Sequence, residues 1–180
     1  MVVNIKNVTL ECIKGDITKQ VGFDAIVNAA NAFLAPGGGV AGAIHKAAGS
    51  NLYEECKRLA PIKTGEAVIT AGFNLPNRYV IHTLGPVYTQ EKNPQEKLKQ
   101  CYRNCLKIAE QNKLESVAFC AISCGIFGYP LEEGLRIAFC TFLEEIPHLK
   151  SLKRIRMVLY NEEALRAGES VFKEAFKEYL

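Results

Sequence analysis

Two asparagines and three glycines in one short stretch of this sequence could together hold an anionic ligand. Asn28 and Asn31 follow a β-branched run, and residues 37–39 are all glycine. Consecutive glycines allow positive φ angles and let a ligand approach the main chain closely. A helical pattern begins near Val40, and the unpaired N–H groups in the first turn of a helix carry the positive end of its dipole. Residues 28–41, called the glycine loop below, are therefore predicted to bind a phosphate or diphosphate.

A second loop that contains glycine, residues 123–130, follows another apolar run and is called the second loop. Ligands of open α/β sheets bind beyond the carboxyl ends of the strands, so the two loops are predicted to border one cleft. Cys124 lies near a predicted helix N-terminus, which could lower its pKa and make it a nucleophile. Tyr129 and Pro130 stand where a cysteine phosphatase has its arginine, which favours a backbone role for Cys124 instead. A P-loop or dinucleotide-cofactor protein is the weaker alternative, since no G-x-x-x-x-G-K-[ST] motif occurs.

Isolated polar residues elsewhere in the chain have both a structural and a chemical interpretation. Asp16 could cap a short turn or bind a ligand through its carboxylate. His45 could be a structural residue of its helix or lie near the ligand, and His82, inside an apolar strand, is predicted to be structural. Cys101 and Cys105 share a helix face without Cys and His partners at metal-site spacing, so we predict core packing and no bound metal.

The elements that would position these residues alternate along the chain. The predicted strands are 8–14, 23–29, 66–71, 79–84, 116–122 and 154–160. The predicted helices are 40–59, with Gly49 as a weak point, a long helix that begins near Pro94, 131–146 and 161–180. Strands that are apolar throughout and alternate with helices predict an α/β domain whose sheet is covered on both faces.

Length and composition limit the class of protein. The 180 residues are 48% hydrophobic, which predicts one domain over residues 1–180. The net charge is only +3, with both signs intermixed, so no direct nucleic-acid binding is expected. The odd number of cysteines, seven, predicts reduced thiols that lie mostly in the core. No apolar run has the length of a membrane span and no signal peptide is recognisable, so we expect a cytoplasmic protein without membrane contact, and a monomer.

Five blocks of sequence resemble the macrodomain family in order and spacing, over nearly the whole chain. They are Gly15–Thr18, Asn28–Asn31, Gly37–His45, Val80–Pro86 and Ala121–Pro130. The chain is most similar to the MacroD-type branch, whose members bind ADP-ribose and hydrolyse mono-ADP-ribosyl esters on acidic side chains and O-acetyl-ADP-ribose. The resemblance implies a three-layer α-β-α sandwich around a central mixed, mostly parallel sheet of about six strands. It also implies ADP-ribose, ADP-ribosylated protein or O-acetyl-ADP-ribose as partners, and no cofactor.

The resemblance further implies a role for each matching residue. Asp16 would accept a hydrogen bond from the adenine amino group, and the Ile17 N–H group would contact the adenine ring. Asn31 would hold the distal ribose and take part in catalysis, with Asn28 close by or shaping the loop and His45 as a second catalytic candidate. From the residues alone, Asn28 and Asn31 could instead be loop residues that bond their own backbone. The other ADP-ribose-binding residues would be Gly38, Gly39, Val40 and Ala41 in the glycine loop, Ser123, Cys124, Gly125, Ile126 and Phe127 in the second loop, and Tyr160 and Asn161 after the last strand. Backbone N–H groups of both loops would cradle the diphosphate.

One residue departs from the MacroD-type pattern. The hydrolases usually read Gly-Val-Asp-Gly, where the aspartate positions or activates the attacking water, and this chain has Ala41 at that place. A general base typically contributes roughly 10²- to 10⁴-fold to a rate, so Ala41 favours a binding module that recognises ADP-ribose without turning it over. Some viral macrodomains with Gly-Gly-Gly-Val-Ala-Gly are nevertheless regarded as hydrolases, in which phosphate oxygens of the substrate activate the water. Hydrolysis is therefore the preferred hypothesis.

Overall fold

Seven strands form one sheet in the computed structural model of the protein, which describes residues 1–180. The strands are β1 (Val2–Ile5), β2 (Val8–Lys14), β3 (Ala25–Ala29), β4 (Ala67–Ala71), β5 (Tyr79–Thr83), β6 (Ser116–Phe119) and β7 (Arg154–Leu159). The helices are α1 (Gly39–Ala48), α2 (Asn51–Cys56), α3 (Pro94–Gln111), α4 (Leu131–Glu145) and α5 (Glu162–Ala175), with short 3-10 turns at Ile17–Lys19 and Ile146–His148. None of the helices has both the length and the apolar composition needed to cross a membrane.

The sheet runs in the order β1-β2-β7-β6-β3-β5-β4, with antiparallel pairing only at its two edges. β1 pairs antiparallel with β2 and β4 with β5, whereas the five strands between them are parallel. Helices α3, α4 and α5 pack together on one face, and α1 and α2 on the other. This is the three-layer α-β-α sandwich with a mixed, mostly parallel sheet that the resemblance implies. Because β3 and β6 are neighbours, the glycine loop and the second loop leave the sheet side by side.

Two elements differ from the sequence prediction. The pattern does not predict β1, which pairs with β2 and brings the sheet to seven strands rather than about six. The helix predicted over 40–59 is two helices, because Gly49 has a φ of +90° and ends α1. Its N–H group donates to the His45 carbonyl oxygen at 3.0 Å, and α2 begins afresh at Asn51.

An aromatic cluster under the sheet anchors the chain that enters the second loop. Tyr102 packs edge-on against Phe142, with ring centroids 5.6 Å apart, and tilted against Phe119 at the same distance. The Tyr102 hydroxyl is fully buried and accepts a hydrogen bond from the Ile122 N–H group at 3.0 Å. The second loop therefore starts from a fixed point in the core.

All seven cysteines are free thiols, and most lie in the core, as predicted. Cys101 and Cys105 are fully buried on the inner face of α3, which confirms their packing role. Cys124 is half-buried and Cys140 is exposed.

Candidate functional site

The glycine loop and the second loop face each other across a cavity of about 230 Å³, called the loop cavity below. Its lining residues are Ala29, Gly38, Gly39, Val40, Ala41, Gly85, Ala121, Ser123, Gly125, Ile126 and Phe127. Ala29, Gly85 and Ala121 lie at or just beyond the carboxyl ends of β3, β5 and β6, which is where open α/β sheets bind ligands. The prediction that both loops border one cleft is confirmed.

Backbone N–H groups of both loops are free to bind a ligand in the loop cavity. Gly39, Val40 and Ala41 form the first turn of α1, and their N–H groups donate to no other protein atom. The N–H groups of residues 125–127 are likewise unbonded, whereas that of Cys124 donates to the Ala121 carbonyl oxygen at 3.3 Å. The Ser123 N–H group also donates to no protein atom, so the predicted cradle in the second loop keeps Ser123 and residues 125–127 and loses only Cys124. Two facing sets of donors, one at a helix N-terminus, suit an anion such as a diphosphate.

A second cavity, of about 470 Å³, adjoins the loop cavity and shares Gly39 and Val40 with it. This Asp16 cavity is lined also by Gly15, Asp16, Ile17, Ala43, Cys120, Val158 and Tyr160. Oδ1 of Asp16 accepts hydrogen bonds from the hydroxyl of Thr18 at 2.7 Å and from its N–H group at 2.9 Å. These bonds hold the pKa of Asp16 below its usual value, so the side chain is a carboxylate at neutral pH. Its Oδ2 accepts no bond within the protein and is free for a ligand.

A chain of hydrogen bonds fixes the turn that carries Asp16. The Gln20 side chain donates to the Asp16 carbonyl oxygen at 2.8 Å and accepts from Arg156 at 3.0 Å. Arg156 also donates to Glu11 at 2.7 Å, and its guanidinium lies 4.4 Å from the centre of the Phe23 ring. Because Glu11 and Arg156 stand on the paired strands β2 and β7, the position of the carboxylate is set by the sheet itself.

Asn31 holds the glycine loop in shape but does not line the loop cavity. Its Nδ2 donates to the Ala35 carbonyl oxygen at 2.8 Å, and its Oδ1 accepts from the Ala35 N–H group at 3.0 Å. Gly37 packs next to this amide, since a Cβ atom built on Gly37 would lie 3.5 Å from Nδ2. An amide oxygen has a second lone pair and an amide nitrogen a second hydrogen, so Asn31 can bind a ligand without releasing Ala35.

Asn28 and two histidines are buried behind the glycine loop. Nδ2 of Asn28 donates to Nδ1 of His82 at 3.0 Å, and Nε2 of His82 lies 2.9 Å from the Thr70 hydroxyl. That hydroxyl donates to the Ala71 carbonyl oxygen, so the ring proton is on Nε2. Burial lowers the pKa of His82 to about 3, in agreement with its predicted structural role. His45 is 6% exposed and lines neither cavity, so its placement does not support the predicted catalytic role.

Comparison with known proteins identifies the family. Residues 27–138 match the family model described as Macro domain. The chain belongs to the macrodomain family. A macro domain-containing protein of Xanthomonas campestris is 48% identical over 165 residues, which cover 88% of this chain and 92% of the relative. A Salmonella typhimurium protein named O-acetyl-ADP-ribose deacetylase is 46% identical over 162 residues, which cover 87% of this chain and 90% of that protein.

Solved macrodomains have the same fold over nearly the whole chain. The Oceanobacillus iheyensis macrodomain with ADP superimposes with a TM-score of 0.94 at 39% identity, covering 99% of this chain and 97% of that one. The Trypanosoma brucei macrodomain in complex with ADP-ribose gives a TM-score of 0.82 at 40% identity, covering 91% of this chain and 68% of that one. The macrodomain fold thus extends beyond residues 27–138.

The last strand of the macrodomain brings only one of its two predicted residues to the Asp16 cavity. Tyr160, just after β7, is 85% exposed and lines this cavity together with Asp16. Asn161 instead caps α5, where its Oδ1 accepts from the Ala164 N–H group at 2.8 Å. Asn161 also lines an open groove of about 1060 Å³ that runs towards α4 and α5. This groove adjoins both cavities, since it shares Val40, Ala121 and Gly125 with the loop cavity and Val40, Cys120, Val158 and Tyr160 with the Asp16 cavity. Asn161 therefore caps α5 at the border of the site, and its part in binding ADP-ribose stays a prediction.

Cys124 is not an activated nucleophile. Burial raises the pKa of its thiol to about 12, which contradicts the possibility that the nearby helix N-terminus lowers it. The thiol donates to the Ile122 carbonyl oxygen at 3.4 Å and packs against Gly134 of α4. Cys124 therefore serves the packing of the second loop.

Sequence reasoning missed two glycines that shape the loop cavity. A Cβ atom on Gly42 would lie 2.1 Å from the Gly37 carbonyl oxygen, and one on Gly85 would lie 2.1 Å from Oγ of Ser123. A glycine inside a helix costs roughly 1 kcal/mol relative to alanine, so Gly42 in α1 was itself a signal of close approach. Gly85 precedes a proline, and this pair indicated only the end of a strand.

Proposed function

We propose that this macrodomain binds ADP-ribose across its two adjoining cavities. The observation that carries the proposal is the pair of facing N–H sets at residues 39–41 and 125–127, which border one cavity next to a fixed carboxylate. Backbone donors at a helix N-terminus bind phosphate groups without needing a basic side chain. The solved Oceanobacillus iheyensis macrodomain with ADP and the Trypanosoma brucei macrodomain in complex with ADP-ribose support the same ligand.

The proposed orientation places adenine in the Asp16 cavity. The free Oδ2 of Asp16 would accept from the exocyclic amino group, the Ile17 N–H group would contact the ring, and Tyr160 would lie against it. The diphosphate would occupy the loop cavity. The distal ribose would then lie between Phe127 and Asn31.

We further propose that the protein hydrolyses mono-ADP-ribosyl esters on acidic protein side chains, O-acetyl-ADP-ribose, or both. The Salmonella deacetylases support this class of substrate. No acidic residue lines the loop cavity, and Ala41 is 7% exposed there, so the chain supplies no carboxylate as general base. In the proposed reaction on an acidic side-chain ester, water attacks the ribose carbon, the carbon–oxygen bond to the side chain breaks, and the carboxylate leaves with the bonding electrons. On O-acetyl-ADP-ribose, water adds to the acetyl carbon, and the ribose oxygen leaves with the bonding electrons and takes up a proton. In both cases a phosphate oxygen of the substrate accepts the proton of the water, and in the second it can pass that proton to the ribose oxygen. The protein contributes position and N–H donors that stabilise developing charge.

The alternative is a module that binds ADP-ribose without turnover. Ala41 favours this function, because a missing general base lowers a rate by roughly 10²- to 10⁴-fold. Under either function we expect a cytoplasmic monomer that meets ADP-ribosylated protein or O-acetyl-ADP-ribose.

Two measurements on the wild-type protein test the proposal. Calorimetry with ADP-ribose should show binding, and a protein that binds none would exclude both functions. A time course with a glutamate-linked mono-ADP-ribosylated protein and with O-acetyl-ADP-ribose should release ADP-ribose from at least one of them. Tight binding without release would establish the binding module.

An Asn31→Ala variant tests the residue proposed for the distal ribose. We expect turnover to fall at least tenfold, and affinity for ADP, which lacks that ribose, to fall much less. Equal losses with ADP and ADP-ribose would show that Asn31 acts only by bonding Ala35 in the glycine loop.

A further inference from the structure

The buried side chain of Gln20 stands between the Asp16 turn and the sheet, and its amide can take only one orientation. Nη1 of Arg156 lies 3.0 Å from Oε1 of Gln20. Arginine only donates hydrogen bonds, so the amide oxygen must face Arg156 and the NH₂ group must point the other way. There it donates to the Asp16 carbonyl oxygen at 2.8 Å. The charge of Arg156 therefore decides which end of the amide meets Asp16.

The turn that carries Asp16 is too short to hold its own shape. It has three residues, Ile17–Lys19, and the Lys19 N–H group donates to the Asp16 carbonyl oxygen at 3.0 Å. The hydrogen bonds of 3-10 turns have poor geometry, and so short a segment is not stable alone. The Gln20 amide gives the same carbonyl oxygen a second donor, and Nδ2 of Asn77 holds the Gln20 carbonyl oxygen at 2.8 Å. The backbone at Asp16 is thus fixed by a side chain of defined direction.

Two contacts fix Arg156 in turn, and Arg154 shares both of them. Arg156 donates to Oε2 of Glu11 at 2.7 Å, and its guanidinium lies 4.4 Å from the centre of the Phe23 ring. Arg154 donates to Oε1 of Glu11 at 3.0 Å and lies 4.5 Å from the same ring centre. Of the two arginines, only Arg156 also bonds Gln20. The pair separates the link to Gln20 from the general support that Glu11 and Phe23 give.

We propose that Gln20 and Arg156 are positioning residues that set the preference of the protein for adenine. This inference rests on the proposed function, since it requires adenine in the Asp16 cavity. Neither side chain lines that cavity, so both act through the Asp16 turn rather than by touching the base. The Gln20 amide fixes the Asp16 carbonyl oxygen, and with it the direction of the free Oδ2 towards the exocyclic amino group. IDP has a carbonyl oxygen in place of that amino group, and Oδ2 disfavours it as long as this direction is kept.

Gln20→Glu tests the direction of the amide without changing its size. The new carboxylate still accepts from Arg156, but it has no hydrogen for the Asp16 carbonyl oxygen, and the two oxygens repel each other. We expect ADP to bind about tenfold more weakly and IDP to bind as it does to the wild type. Calorimetry with ADP and IDP measures both Kd values. The melting temperature should change little, because the ion pair with Arg156 offsets the lost bond.

Arg156→Gln and Arg154→Gln form a matched pair of variants. Each removes one ion pair of Glu11 and one contact with the Phe23 ring, so both should lower the melting temperature. Only Arg156→Gln should also reduce the preference for ADP over IDP, by about tenfold, because only this change frees the Gln20 amide. Arg154→Gln should keep the wild-type preference.

The ratio of the two Kd values separates the possible outcomes. A wild-type preference for ADP in Gln20→Glu or in Arg156→Gln would overturn the inference. An equal loss of preference in both arginine variants would overturn it too, because general loosening around Glu11 would then explain the result. If the wild type binds neither ADP-ribose nor ADP, the proposed function itself fails. If the wild type binds ADP and IDP equally, the proposed placement of adenine fails, and the variants are not the cause.

Discussion

Position 41 is where a general base would stand if the proposed hydrolysis used one. Ala41 lines the cavity in the first turn of α1, where a carboxylate would be favoured by the helix dipole. We expect Ala41→Asp to raise kcat by about 10²-fold, at the lower end of what a general base contributes. KM should rise, because the new charge faces the diphosphate. Steady-state kinetics with O-acetyl-ADP-ribose measures both.

Ala41→Asn is the matched control, since it has the same size without the charge. It should leave kcat near the wild-type value. A rise in kcat that is equal in both variants would show that shape at position 41, and not a base, accelerates hydrolysis.

Asp16 offers a test of adenine recognition that leaves the fold intact. In Asp16→Asn the Oδ1 atom can still cap the turn through Thr18, but an amide NH₂ replaces the free Oδ2. A donor would then face the adenine amino group, so ADP should bind about tenfold more weakly. IDP has no amino group, so it should bind the wild type more weakly than ADP does. The variant should not bind IDP more weakly than ADP. Calorimetry with both nucleotides checks this, and an unchanged preference for ADP would contradict the role of Asp16.

The junction between the glycine loop and α1 depends on the absence of a side chain at Gly42. Its missing Cβ atom leaves room for the Gly37 carbonyl oxygen, which would otherwise lie 2.1 Å away. Overpacking typically costs about 1–3 kcal/mol, so Gly42→Ala should lower Tm by several degrees despite the better helix propensity of alanine. The displaced loop should also bind ADP-ribose at least tenfold more weakly.

Gly38→Ala provides the control for stability, because no atom lies within 4 Å of a Cβ built at that residue. Thermal melting should therefore change much less in Gly38→Ala than in Gly42→Ala. Equal melting temperatures in the two variants would show that the loop yields to the added methyl group without cost.

Sequence patterns predicted the helices and strands that depend on residues close to one another in the chain. Pro94 suits a first helical turn, and α3 begins there; the alternation over Val8–Lys14 became β2. The pattern missed β1, because four residues become a strand only through pairing with β2. The site likewise has features that nearby residues indicate and features that depend on distant segments. Residue types indicated the two loops and Asp16, whereas the closeness of Gly85 to Ser123 and the burial of His45 depend on contacts between distant segments.

At the scale of the whole molecule, a buried polar cluster behind the glycine loop links three strands of the sheet to helix α2. His82 on β5 bonds Asn28 on β3 and Thr70 on β4, and the Cys56 thiol lies 3.8 Å from its Nε2. His45 on α1 is close enough to disfavour further a charge on His82, whose burial is the larger cause of its lowered pKa. The folded protein therefore keeps His82 neutral at pH values where the unfolded chain binds a proton.

The difference in the pKa of His82 between the folded and the unfolded chain makes the free energy of unfolding depend on pH, at pH values above those at which carboxylates titrate. An unfolded histidine has a pKa near 6.5, and that of His82 is about 3 in the fold, so the unfolded chain binds the extra proton between these values. Stability from His82 is fully present above pH 6.5 and should fall by about 2 kcal/mol from pH 7 to pH 5. Burial also lowers the pKa of His45, which adds to the fall. Urea unfolding at pH 7, 6 and 5 measures the change in stability.

His82→Gln should flatten this dependence, whereas His148→Gln, which replaces an exposed histidine at the end of the turn Ile146–His148, should retain it. Equal slopes in the wild type and His82→Gln would mean that His82 is not the group that titrates.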